Sequence, residues 1–331
     1  MTNEPENIAL AASVIRNGGV VAFGTETVYG LGADAYNDAA VKKIFRIKGR
    51  PSDNPLIVHV CDGAQISGLA AAVPKNARIL IDKFMPGPIT LVLNKRGRVS
   101  DAVTAGLPTV AVRMPSDKTA LAFISACGVP VAAPSANISG RPSPTTAKHV
   151  YDDLNGKIGY ILDCGECAVG VESTVVDARA DVPVILRSGG VPIEQIERAV
   201  GKAALYTPAQ NQNVPPSPGM KYRHYAPKAA VLFSAFHSDM RKTISAYYDR
   251  LAAVGVKPVI LCFDSAKRLY GGRETISVGG DNADYARRLF AALREADERN
   301  FGAVIAEGVS DKGLGAAVIN RLIKAAGGRI I

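Results

Sequence analysis

At 331 residues with 47% apolar side chains, the chain is long enough for two globular domains and too apolar to be disordered. Five cysteines, Cys61, Cys127, Cys164, Cys167 and Cys262, are too few and too scattered for a disulfide framework. The net charge of +9 suits an anionic ligand or nucleic acid without selecting either; no apolar run reaches the ~18 residues of a membrane span, and Met1-Thr-Asn-Glu-Pro-Glu6 lacks a signal-peptide pattern, so a cytoplasmic place is expected.

In chain order, residues 8–17 read as a short helix leading through Gly18-Gly19 into a buried strand at 20–23. In the next stretch, Gly24-Thr-Glu-Thr-Val-Tyr-Gly-Leu-Gly32, the alternation of Thr25, Thr27 and Tyr29 predicts an extended segment with three hydroxyls on one face. Glu26 and Val28 then point to the other face. Such a face lines a pocket for a small amino acid or is simply a decorated strand edge. A helix is expected over 38–47, with Asp38 as its cap and Lys42, Lys43 and Arg46 on a solvated outer face. Pro51 and Pro55 bracket an irregular loop. Strands are expected at 56–60, 89–93, 110–113, 131–133, 160–163, 173–177 and 183–187, and helices near 74–84, 117–127 and 145–153. The result is a mixed α/β domain with more strands than helices.

From 201 to 218 the composition turns to Pro, Gln and Asn around Pro215-Pro216, which reads as an extended linker. Buried-type strands at 229–233, 258–263 and 303–306 then alternate with helical stretches near 238–253, 282–298 and 314–326. That alternation predicts a small parallel, Rossmann-like sheet. No G-x-G-x-x-G opens any of its strand-to-helix turns, so no dinucleotide is expected there.

The chain has no G-x-x-x-x-G-K-[ST], so any nucleotide must be held by side-chain cations. Lys48, Arg50, Arg113, Arg187 and Arg223 are the candidates, read as lying at strand ends or in loops flanked by Gly or Pro; each taken alone reads as well as a solvated surface charge. Lys48-Gly-Arg-Pro-Ser-Asp-Asn-Pro55 and Ala133-Pro-Ser-Ala-Asn-Ile-Ser-Gly140 combine cations, short hydroxyls and amides with Gly and Pro turns, the chemistry of polyanion contact. Ser135 and Asn137 share one side of their turn. Without a G-x-S-x-G elbow or a nearby His and Asp, Ser135 reads as a phosphate or metal contact and not as a hydrolase nucleophile. His59, alone in an apolar strand, is either a satisfied core residue or a ligand contact. Cys164-Gly-Glu-Cys167 lacks a second pair and reads as free thiols.

The Lys48-x-Arg50 and Ser135-x-Asn137 pairs, Phe84-Met-Pro-Gly-Pro-Ile-Thr90, Pro108-Thr-Val-Ala-Val-Arg113 and Val171-Glu-Ser-Thr-Val175 occur in an order that resembles the YrdC-type threonylcarbamoyl-AMP synthases over roughly residues 8–200. Ser217-Pro-Gly-Met-Lys-Tyr-Arg-His-Tyr-Ala-Pro227 and the hundred residues after it are similar to the long two-domain form of that family. The resemblance implies a YrdC-like catalytic domain over 1–200, a linker and active-site lid over 201–228, and a Rossmann-like domain over 229–331. It implies an ATP, L-threonine and bicarbonate reaction giving threonylcarbamoyl-AMP and pyrophosphate, assisted by Mg2+, with a separate tRNA-modifying transferase downstream. Whether tRNA touches this chain directly is left open. By the same resemblance Lys48, Arg50, Ser135 and Asn137 carry the catalysis. Arg50, Asn54, Thr109, Ser135, Asn137, Ser143, Arg187 and Tyr225 surround ATP, and Thr27, His59, Arg113, Ala133 and Ser173 surround threonine. Two alternatives are an RNA-binding module, which explains the charge but not the hydroxyls and amides, and carbamoyl transfer of the hydrogenase-maturation type, which lacks its usual neighbouring modules here.

Overall fold

The computed structural model describes residues 1–207 and 224–331. The predicted linker falls largely on the remaining residues, so 217–223 of the expected lid, with Tyr222 and Arg223, lie outside the described residues. The chain divides into two compact units, one of Met1–Ser139 and Pro144–Lys221, the other of Gly140–Ser143 and Tyr222–Ile331.

The described residues of the first unit place ten strands in one mixed sheet. They are β1 Val21–Phe23, β2 Gly30–Asp34, β3 Ile57–His59, β4 Ile89–Asn94, β5 Thr109–Arg113, β6 Val131–Ala133, β7 Ile161–Leu162, β8 Thr174–Asp177, β9 Val184–Arg187 and β10 Ala204–Leu205. Their spatial order is β10-β9-β8-β4-β5-β3-β6-β2-β1-β7. The mixed sheet is the one expected, but β2 was not. Its sequence, Gly-Leu-Gly-Ala-Asp, carries little strand propensity, and tertiary packing decides it: a Cβ on Gly32 would sit 2.7 Å from Val131 and 2.9 Å from Phe23. The glycines Gly30 and Gly32 therefore let neighbouring strands approach.

Side chains alternate across the sheet. Val58, Leu91, Leu93, Val110, Val112 and Val176 point to one side and join the main core. Ile57, Val92, Ala111 and Val175 point to the other, where a smaller apolar cluster forms. The helix Asp38–Lys48 starts at Asn37, whose side chain accepts from the Ala40 amide at 3.1 Å, so the cap is Asn37 and not Asp38. It ends at Gly49 in the left-handed region, φ 60°, which stops the helix directly after Lys48.

In the second unit β11 Ala230–Ser234, β12 Pro258–Cys262, β13 Thr275–Ser277 and β14 Ala303–Glu307 form a parallel sheet in the order β11-β14-β12-β13, as the alternating pattern predicts. β12 and β14 are buried along their whole length, which explains why they read as unbroken apolar runs. β13 is too short and too polar to be read in advance.

Candidate functional site

The register of the ten-stranded sheet gathers most of the candidate residues. His59 pairs with Arg113 at the ends of β3 and β5, and Ile57 pairs with Ala111 and with Ala133. Arg113 lies two residues beyond Ala111 and Thr109 two before it, so all three share the face carrying the small apolar cluster. Thr90 pairs with Val175, and Val175 with Arg187, which puts Thr90 and Arg187 on that face too. Ser173 precedes β8; its hydroxyl lies 2.7 Å from that of Thr90, and its carbonyl accepts from Arg187 Nη2 at 2.9 Å. One side of the sheet is thus dry, and the other carries cations and hydroxyls.

Arg113 occupies the centre of the predicted threonine group. It is 3% exposed, and its Nη1 donates to Thr27 Oγ1 at 2.8 Å. The segment 25–29 that delivers Thr27 is not extended, which corrects the alternation read from the sequence. Thr25 Oγ1 accepts from the Val28 amide and donates to the Val28 carbonyl, curling the backbone into a turn. Thr25 and Thr27 hydroxyls then face each other at 2.9 Å, while Tyr29 turns away to donate to Asp163. Glu26, expected on the opposite face, comes to Arg113 as well, with Oε2 at 2.8 Å from Nη2. The turn folds consecutive residues onto one cation, and the sequence signal for Glu26 was its place inside the Gly24–Gly32 motif.

His59 is buried against Phe23, with the ring edge-on at 5.9 Å. Burial, reinforced by the charge of Arg113, pulls its imidazolium down from 6.5 to about 3, so the ring is neutral. Its Nδ1 has no hydrogen-bond partner.

Lys48 is the last residue of its helix, not a loop residue, and is 2% exposed. Its ammonium donates to the carbonyls of Ser135 and Asn137 and lies 3.3 Å from Asn137 Oδ1. Burial first, then the charge of Arg50, lowers it well below the usual lysine range, with Asp153 opposing. Ser135 Oγ donates to Asn137 Oδ1 at 2.6 Å, and the Ser139 amide donates to the Lys48 carbonyl, so the helix end and the turn after β6 are tied together. Arg50 lies in the loop after the helix, with Nη2 donating to the Pro55 carbonyl at 3.1 Å. Asn54 is 1% exposed, and its Oδ1 has no partner.

Two clusters result: Thr27, His59 and Arg113 at one end of the central strands, and Lys48, Ser135 and Asn137 around the turn after β6. Thr109 opens β5 at the far end from Arg113, roughly 13 Å away along the strand, while on the same face Ser173 lies two strands over and Arg187 three. Ser143 and Tyr225 fall in the second unit. There Tyr225 takes φ 65°, a strained conformation for its type, and stacks on Phe290 with ring centroids 5.2 Å apart. Among the described residues no group of three His, Cys, Asp or Glu could hold a metal, and Lys48 already holds the carbonyls of Ser135 and Asn137 and faces Asn137 Oδ1. The five thiols are free, and burial raises those of Cys164 and Cys167. No described helix is long and apolar enough to cross a membrane.

Comparison with known proteins matches this architecture along its whole length. A family model for Sua5, YciO and YrdC, described as "Telomere recombination", matches residues 13–189, and one described as "Threonylcarbamoyl-AMP synthase, C-terminal domain" matches 191–327. The threonylcarbamoyl-AMP synthase of Pyrococcus abyssi is 47% identical over 99% of this chain and 96% of its own length. That of Bacillus subtilis is 47% identical over 100% of this chain and 95% of its own. The crystal structure of P. abyssi Sua5 complexed with L-threonine superposes with a TM-score of 0.94 at 46% identity, covering 99% of this chain and 96% of that one. The chain belongs to the Sua5/YciO/YrdC family of threonylcarbamoyl-AMP synthases, in its two-domain form.

Proposed function

We propose that the chain is an L-threonylcarbamoyladenylate synthase, which converts L-threonine, bicarbonate or carbon dioxide, and ATP into threonylcarbamoyl-AMP and pyrophosphate. The observation that carries this reading is the sheet face on which Arg113 and His59 sit side by side and Thr27 is drawn onto Arg113. A buried guanidinium with a hydroxyl beside it suits a carboxylate that bears a neighbouring hydroxyl group. The neutral His59 adds a polar contact without adding charge.

In the proposed reaction the threonine amine takes up carbon dioxide as a carbamate, losing a proton to water, and a carbamate oxygen attacks the α-phosphorus as pyrophosphate leaves. No side chain needs to form a bond to substrate. Catalysis then consists of alignment and of neutralising charge. Arg50, Asn54, Thr109, Ser135 and Arg187 serve the nucleotide. Lys48 supports it by fixing the turn 135–139. Mg2+ is proposed only as the ion that the triphosphate carries with it. The product would feed a separate transferase that modifies tRNA, in the cytoplasm.

The test is pyrophosphate release with each substrate omitted in turn, with the adenylate identified by mass. Release that needs threonine, bicarbonate and ATP together is the expected result. Equal release with alanine, serine or no amino acid would remove the assignment.

A further inference from the structure

We propose that Glu26 receives the α-ammonium group of the amino-acid substrate, so that the Glu26–Arg113 pair as a unit selects an α-amino acid; the proposal rests on the threonine site described above. The two side chains are 8% and 4% exposed, and Arg113 Nη2 lies 2.8 Å from Glu26 Oε2. That is contact distance, yet the pair is not aligned as a hydrogen bond. Both oxygens of Glu26 and both Nε and Nη2 of Arg113 lack a hydrogen-bond partner, leaving Nη1, held by Thr27, as the engaged end. A buried ion pair stabilises only when its remaining donors and acceptors are satisfied. This one leaves two acceptor oxygens on one side and two donor nitrogens on the other.

A zwitterionic α-amino acid is the complementary ligand. Its carboxylate matches the donors of Arg113 that make no hydrogen bond, and its ammonium, on the adjacent carbon, matches the oxygens of Glu26 that accept none. A carboxylic acid without the amine would satisfy Arg113 while facing the Glu26 carboxylate, a repulsive contact that rejects it. An amino alcohol without the carboxylate would satisfy Glu26 and leave Arg113 unmatched. Sites built from buried polar groups reject the analogue that leaves a group unpaired far more strongly than apolar pockets do. Glu26 is in this sense a positioning and specificity residue: it fixes the amine that must meet carbon dioxide, and it takes no part in bond making.

The experiment is calorimetric titration of the full chain with L-threonine, with 3-hydroxybutanoate, which lacks the amine, and with threoninol, which lacks the carboxylate. The wild type should bind threonine at least about 10-fold more tightly than either analogue. Glu26→Gln should weaken threonine about 10-fold or more while leaving 3-hydroxybutanoate unchanged or tighter, so that the preference collapses. A purely structural role for Glu26 would weaken both ligands alike. An unchanged threonine-to-hydroxybutanoate ratio in Glu26→Gln overturns the proposal. Should that variant fail to fold, equal wild-type affinity for threonine and 3-hydroxybutanoate overturns it without any substitution. A wild type that binds no threonine at all overturns the functional reading as well, whereas threonine binding with an unaltered ratio sinks this inference alone.

Discussion

Two of the buried glutamates, Glu26 from the first unit and Glu307 from the second, are treated by the fold in opposite ways. Glu307 closes β14 at 1% exposure, accepting from the Phe263 amide at 3.1 Å and from Tyr270 Oη at 2.9 Å, with Arg241 Nε at 3.4 Å. Glu26 is almost as buried, but neither of its oxygens has a hydrogen-bond partner despite the guanidinium beside it. A buried carboxylate with its bonds complete is part of the framework; one held against a cation with its bonds open is poised for something else. Burial is common to both, and satisfaction separates structure from site.

The contrast can be broken from either side. The largest effect is expected at Arg113. Arg113→Ala should lower kcat/KM for threonine by about 10^3, the cost of truncating a buried charge that grips its partner, while ATP binding measured separately persists. Wild-type turnover in a folded Arg113→Ala protein would place the amino-acid site elsewhere.

On the structural side, Glu307→Ala orphans the Phe263 amide and the Tyr270 hydroxyl and should cost about 3 kcal/mol. Chemical denaturation monitored on the whole chain reads this out. A loss below about 0.5 kcal/mol, the range of an ordinary surface substitution, would erase the distinction between the two glutamates.

A pH series sharpens it further. In the folded chain His59 releases its proton down to about 3, whereas the unfolded chain holds it up to about 6.5. Between those values the unfolded state binds more protons, so stability falls as pH drops through that window. Each unit of pH is worth at most about 1.4 kcal/mol from this one group. His59→Gln should therefore lose stability less steeply between pH 6 and pH 4 than wild type. Parallel slopes would show that His59 is not held neutral by its surroundings.

The smallest effect is expected on the outer face of the helix Asp38–Lys48. Lys42 pairs with Asp38 at 2.6 Å, but the two side chains are 65% and 51% exposed. Lys42→Ala should change stability by less than about 0.5 kcal/mol and leave turnover alone. A large loss of activity would bring this basic face into the site and reopen a nucleic-acid reading.

Much of the framework was legible beforehand because its signals are local. The helix Asn282–Glu298 and strands β12 and β14 carry apolar patterns that few other folds tolerate. The elements missed share a different trait. β2 is glycine-rich, β13 and β10 are two or three residues long, and the helix Ile193–Val200 follows a Gly-Val-Pro stretch that reads as loop. The three strands are specified by the strands they pair with, and the helix Ile193–Val200 carries an amphipathic pattern too short to stand out. The same holds for the site. Lys48, Arg50 and Ser135 stood out because cation and hydroxyl motifs are short-range patterns, but Glu26 was assigned to the wrong face because alternation was assumed where a Thr25 turn forms. Thr90, whose hydroxyl meets Ser173, was hidden in an otherwise apolar strand.

By itself, then, the sequence determined the two-part organisation, the mixed and parallel character of the two sheets and the kinds of side chain available for binding, since composition, periodicity and short motifs act over a few residues. The tertiary structure alone decided which of those side chains meet. Arg113 and Thr27 are 86 positions apart, Lys48 and Ser135 87, and only strand register and a tied-down turn bring each pair together. The satisfaction of buried charge was likewise invisible in the sequence, because whether a carboxylate finds its partners depends on angles and distances set by the whole packed unit.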